Sequence, residues 1–132
     1  MSEKYLKKII AQNQEDLRVI SALCSEAKVK QSEIKYLKEN KIFLISLERQ
    51  DKENLSKKEK INSILKFEFI ENSKSKNIDQ ENEENTLELL AIDLFKSKKN
   101  YEIVLLFSNN GIITLEAEVI EIELDNIKKI ND

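Results

Sequence analysis

The spacing of apolar residues changes along this chain, and each change marks an element. Between Tyr5 and Ala11, the apolar Leu6, Ile9 and Ile10 read as a short strand. Leu17, Ile20, Leu23, Cys24 and Ala27 then recur at intervals of three and four, which lines up one face of a helix, and Val19 widens that face. Asn13 stands just before them as an N-cap, and Asp16 places an acid in the first turn, where the helix dipole favours it. The spacing predicts a helix over Gln14 to Glu26. From Val29 the period falls to two. Ile34, Tyr36 and Leu37, the polar Lys38-Glu39-Asn40 and the run Ile42 to Leu47 predict a hairpin.

The charged stretch Gln50 to Lys60 reads as a loop, and Ile61 to Ile70 as a strand anchored by Ile64, Leu65, Phe67 and Phe69. Glu71 to Asn85 is the most polar window, too poor in apolar residues to pack, and a mobile loop is expected over 71–86. Leu87 to Phe95 and Tyr101 to Phe107 are further strands. Asn109-Asn110-Gly111 is a hairpin signal, and Gly111, the chain's single glycine, is expected at positive φ. A last strand starts at Ile112, with Leu115, Ala117 and Val119 on one face and Glu116 and Glu118 on the other. The alternation breaks at Val119-Ile120 and resumes out of phase at Ile122 and Leu124. A β-bulge explains that pattern, and so does a strand running into a short helical turn capped by Asp125. The pattern predicts an α+β domain, with one N-terminal helix on an antiparallel sheet or partly closed barrel of about six to seven strands.

Composition fits this picture and narrows the chemistry. A chain of 132 residues suits one domain over 1–132. Charged residues make up 36%, yet the net charge is only -3, so no strong field draws in nucleic acid or anionic lipid. Neither partner is expected. No leader-like apolar run follows Met1 and one cysteine excludes an internal disulfide, so a reducing, cytoplasmic setting is expected. The richness in Lys, Asn and Ile points to a bacterium with an AT-rich genome. The chain has no histidine, which removes the commonest general base near neutral pH and the commonest zinc ligand. A single glycine rules out glycine-rich phosphate loops, and no Walker, Rossmann, zinc or nucleophile-elbow motif occurs. No cofactor is expected.

The remaining candidates are few. Cys24 lies on the apolar helix face without a histidine to activate it, and reads as a small buried hydrophobe. Glu116, Glu118, Glu121 and Glu123 form an acidic ladder. Such a ladder can hold Mg²⁺ or Ca²⁺ or act in acid–base chemistry, but is more simply the wet face of an antiparallel sheet. Asp16 serves the helix cap and dipole. Arg49, on an edge strand, suits a bidentate grip on a carboxylate or phosphate, or a surface ion pair. The clusters around Lys57-Lys58-Glu59-Lys60 and Lys96 to Lys99 lack the aromatic or arginine interleaving of nucleic-acid readers.

The segment from Glu15 to Leu23 resembles the opening of the bacterial domain-of-unknown-function family 2948, found mainly in alphaproteobacteria. The hairpin Ile34 to Leu44 and the run Gly111 to Glu121 are similar to it as well, in order and spacing. Where that family tends to carry an Arg, an aromatic and then Trp-Glu after the second hairpin strand, this chain keeps Arg49 and has Gln50 and Lys52 in place of the aromatics. The resemblance implies a shared fold and no activity.

These readings lead to a non-enzymatic binding or protein-interaction domain, with a protein partner or a homodimer, acting through a sheet edge or an open apolar patch. Asp16, Arg49, Glu116 and Glu118 are the candidates for its functional surface; no catalytic, cofactor-binding or metal-binding residue is assigned. The alternatives are a carboxylate and divalent-metal enzyme or the accessory subunit of a metabolic enzyme, and a small-ligand-binding barrel like the pleckstrin-homology fold.

Overall fold

The structure is a computed structural model that describes residues 8–50, 60–79 and 84–130, with side chains as far as 126. Strand β1 (Lys8–Ala11) leads into helix α1 (Gln14–Cys24). There follow β2 (Ala27–Lys30), β3 (Ile34–Leu37), β4 (Ile42–Gln50), β5 (Lys60–Phe67), β6 (Ile70–Lys76), β7 (Thr86–Lys96), β8 (Tyr101–Phe107), β9 (Ile112–Ala117) and β10 (Ile122–Ile130). Hydrogen-bonded neighbours run β1, β10, β5, β4, β2, β7, β8, β9, β6, and β3 joins β4 beside that path. Every pairing is antiparallel. The predicted α+β architecture with one N-terminal helix therefore stands. The sheet has 10 strands among the described residues instead of six or seven, and it is open: its path ends at β1 and at β6.

The helix forms where its apolar spacing placed it. Asn13 Oδ1 accepts a hydrogen bond from the Asp16 backbone N–H at 2.8 Å, which satisfies one of the donors left over at a helix start. Leu17, Ile20 and Cys24 are buried, so the cysteine is core, as its position on that face implied. The helix also completes β7. Past the bulge between Leu89 and Ala91, the ladder from β2 has ended, and Ser21 Oγ accepts the Ile92 N–H at 3.0 Å.

One long two-stranded ladder folds the sheet over. β5 pairs β10 (Ile122↔Phe67) and its continuation β6 pairs β9 (Ile70↔Ala117). Between these ladders the chains bend side by side, with Phe69 at φ 61°. Glu68 N–H donates to Glu121 O at 3.0 Å, and Glu118 N–H to Phe69 O at 3.2 Å. The expected single strand Ile61 to Ile70 is therefore two strands meeting at a corner. The break at Val119-Ile120 is the other side of that corner rather than a bulge or a helical turn, and Asp125 lies within β10, paired with Lys8 and Ile64. Val119 is left exposed. The inner faces of both halves close one apolar cluster, including Phe43, Ile45, Leu65, Phe67, Leu105, Leu115 and Leu124.

The window expected to be a loop over 71–86 carries β6 as far as Lys76, and 80–83 lie outside the described residues. The loop expected after Gln50 and the cluster at Lys57 to Glu59 also fall outside them. At the last hairpin, Asn109 and Asn110 take the left-handed conformation (φ 60° and 62°), while Gly111 has φ -74°. Asparagine tolerates that region. Gly111 is needed for space: a Cβ there would stand 3.2 Å from Ile78 Cγ1 and 3.3 Å from Phe107 Cβ.

Candidate functional site

Among the described residues, β3 and β6 are each hydrogen-bonded on one side only, to β4 and β9 respectively. The folding of the sheet sets their other edges face to face. Two side chains clasp this seam. Tyr36, in β3, donates its O–H to Ile70 O at 3.0 Å, at the start of β6. Gln31, in the 3₁₀ turn Gln31–Glu33, donates Nε2–H to Asp79 O beyond the other end. Between the clasps lies a cavity of about 340 Å³.

The cavity exists because of what β6 turns inward. Ser73 is half-buried and Ser75 exposed, and they alternate with exposed Lys74 and Lys76. They pair with buried Leu115 and Ile113 on β9, so small hydroxyls stand where an inner sheet face usually carries bulk. Ser32 and Gln31 add polar groups to the wall, and Ile34, Tyr36, Phe43, Ile78 and Ile113 add apolar surface. No charged side chain is among these lining residues. Gln31 is 9% exposed, and its Oε1 is buried with no hydrogen-bond partner among the described residues.

Charge gathers just outside the Tyr36 clasp. Lys41 Nζ meets Glu71 Oε2 at 2.9 Å. The hydrogen bond from Lys41, and then one with Glu118, hold the Glu71 carboxyl below its ordinary value of 4.5. Glu71 in turn raises Lys41, through the same hydrogen bond first and through charge second. Burial pushes the Tyr36 phenol above its ordinary value of 10.0, the Glu71 charge adds to this, and Lys41 opposes it.

The candidates from the sequence do not converge. Asp16 sits in the first turn of α1. Arg49 is not on an edge or at the surface; it is 1% exposed in β4, between β2 and β5. Its Nε donates to Ser63 Oγ at 3.2 Å and its Nη2 to Asn126 Oδ1 at 3.0 Å, so its fork organises a buried polar cluster instead of facing a ligand. The acidic ladder is divided among separate partners. Glu116 accepts from Asn100 Nδ2 at 2.8 Å, while Glu118 lies past the end of β9 beside Glu71. Glu121 and Glu123 gather with Glu68, within 4.8 Å of one another. That last trio is tied up by lysines: Lys66 stands 3.5 Å from Glu68 and 3.7 Å from Glu123, and Lys8 3.3 Å from Glu123. A larger groove of about 680 Å³ crosses β2, β4 and β5, where Lys28 and Lys30 are balanced by Glu33, Glu48 and Glu84. None of Asp16, Arg49, Glu116 and Glu118 lines either cavity.

Sequence reasoning missed the seam because its polar residues, Gln31, Ser32, Ser73 and Ser75, carry no motif. The available signal was the alternation Ser73-Lys74-Ser75-Lys76, a period of two with small residues in phase. No helix among the described residues is long and apolar enough to cross a membrane.

A crystal structure of an uncharacterized protein from Neisseria gonorrhoeae is similar to this chain. The match covers 88% of this chain and 96% of that one, at 20% identity and a TM-score of 0.47. No curated protein matches the sequence. The family model of DUF2948, described as a protein of unknown function, matches residues 7–131. With nearly its whole length inside that match, and with the helix and open antiparallel sheet just described, this chain belongs to the DUF2948 family.

Proposed function

We propose that this chain is a non-enzymatic binding domain of the bacterial cytoplasm, with its site in the seam between β3 and β6. One observation carries the reading: a cavity of about 340 Å³ with no charged residue in its lining stands between the two clasps, walled by Ser73 and Ser75 and by the apolar Ile34, Phe43 and Ile113. Apolar walls with a few polar groups set among them are the usual lining of small-molecule sites. The competing enzyme reading needed carboxylates that converge, and Asp16, Glu116 and Glu118 lie on separate elements with separate partners.

The test is native mass spectrometry of the protein purified from its own host under gentle conditions. A small adduct is expected, released on denaturation and missing from the Gln31→Leu protein. A bare mass for the native protein would overturn the reading if a small-molecule extract of the host also left the amide resonances of β3 and β6 unmoved.

A second reading is favoured by Phe69 and Val119, which are 41% and 48% exposed. The hydrogen bond from Glu118 N–H to Phe69 O sets their segments together at the corner of the sheet. Exposed apolar side chains placed together suit a protein partner or a second copy. Light scattering decides for the second copy: a dimer that Phe69→Ser makes monomeric supports it, and a strict monomer removes it.

A further inference from the structure

We infer that the outer face of β7, β8, β9 and β6 packs against the same face of a second copy of this chain. The contact is separate from the seam and from the corner at Phe69, and it rests on the register of four strands.

The inner faces of these strands close the core, with Ile92, Leu105 and Ile113 level with one another. The residues between such rows point outward. One outward row crosses the four strands as Ala91, Leu106, Ile112 and Lys76. The next crosses them as Asp93, Val104, Thr114 and Lys74. The wet face of an antiparallel sheet normally carries polar residues. Here Val104, Leu106 and Ile112 hold its centre, and each is partly exposed. The bulge in β7 adds Leu90, which is 43% exposed, at the end of the apolar row.

The charges beside this band indicate what covers it. Lys74 and Lys76 stand on the β6 flank and Asp93 on the β7 flank, all three exposed. None of them forms an ion pair with another described residue. A partner surface of one sign would meet a like charge on one flank. A second copy meets the opposite charge on both. A two-fold axis parallel to the strands, between β8 and β9, exchanges the flanks and keeps each row level. It sets Leu106 on Ile112 of the second copy and Lys74 on Asp93 of the second copy, and each contact occurs twice. Stacked sheets cross at about 30°, which carries the following row, with Glu102 and Glu116, away from its counterpart. The face is small, since β7 to β6 spans about 14 Å at the usual strand spacing. Stable interfaces bury about 1,600 Å² in total, so a dimer that dissociates on dilution is expected.

Sedimentation equilibrium of the full-length protein over a wide range of concentrations tests this. Wild type should show a monomer–dimer equilibrium. Leu106→Lys puts a charge at the apolar centre without touching the core, and should leave a monomer. Phe69→Ser should leave the equilibrium unchanged. Lys74→Asp and Asp93→Lys should each weaken association about five- to tenfold, because two exposed ion pairs per dimer become like-charge contacts. Combining the two substitutions should restore wild-type association, and this exchange answers the same question should Leu106→Lys fail to fold. A wild-type protein that stays monomeric at every concentration overturns the inference, as does a dimer that survives a folded Leu106→Lys. A dimer that Phe69→Ser disrupts and Leu106→Lys does not overturns it too, since the contact then lies at the corner. Single charge variants that weaken the dimer without recovery in the double variant overturn the two-fold arrangement.

Discussion

Arg49 heads the fully buried side chains by size, and it sits in a cluster closed by a third hydrogen bond, from Ser63 Oγ to Asn126 Oδ1 at 2.8 Å. Residue type alone placed this arginine at the surface. Position overrules type here, because Arg49 continues the inward alternation of Phe43, Ile45 and Leu47 along β4. A guanidinium can stay buried when its planar donors meet fixed acceptors. Arg49→Ala removes the bonds to Ser63 and Asn126 and leaves a hole, so a loss of about 2–4 kcal/mol is expected in urea unfolding. Arg49→Lys should recover only part of it, since an ammonium lacks the fork. At the surface, Glu71 gives a pH signature. Its carboxyl titrates below its ordinary value in the fold, so its contribution is present above the unfolded value near 4.5 and is lost as pH falls through the lower folded one. The carboxyl carbon resonance of Glu71 should therefore titrate below that of a free glutamate. In Lys41→Met the midpoint should rise, because the first cause of the shift is gone. An unchanged midpoint would mean that the ion pair does not form in solution.

At the scale of elements, the helix was readable because it depends on local signals: a cap at Asn13 and a face built from Leu17, Ile20 and Cys24. The strands β4, β8 and β9 were readable because each alternates against one core. β6 was not, because its inner face is serine and its outer face lysine, and nothing local distinguishes such a strand from a polar loop; pairing to β9 makes it a strand. The corner at Phe69 was hidden for a related reason. Only the change of partner from β10 to β9 reveals it. The seam inherits both difficulties, since it lies between two edges that are far apart in sequence. The contact between α1 and β7 is a further long-range device, and it can be tested directly. Ser21→Ala deprives the Ile92 N–H of its acceptor in a partly buried place. The expected cost is about 1–2 kcal/mol, with faster hydrogen exchange at Ile92 than at its neighbours in β7. Exchange at Ile92 equal to wild type would show that water replaces the serine without loss.

The whole molecule is an open sheet kept folded by a shared core and by two side-chain clasps across its free edges. The core sets the overall stability, while the clasps set how far β6 can part from β3. These two roles respond differently to one substitution. Tyr36→Phe keeps the ring and its packing against Phe43 but removes the O–H that reaches Ile70 O. The global cost should be small, about 0.5–1.5 kcal/mol. Amide exchange should quicken along β6 while β5 and β10, on the far side of the corner, keep their protection. Alkaline pH offers the same test without a mutation. The phenol titrates above 10.0 in the fold, so the clasp is intact below that value and is lost as pH rises through the higher folded one. Wild-type β6 should then lose protection specifically above pH 10, and Tyr36→Phe, which has no proton to lose there, should show no such step. Equal loosening of β5 and β6 in either experiment would mean that the seam opens only when the whole sheet unfolds, and a site that needs to admit a ligand between those edges would have no way in.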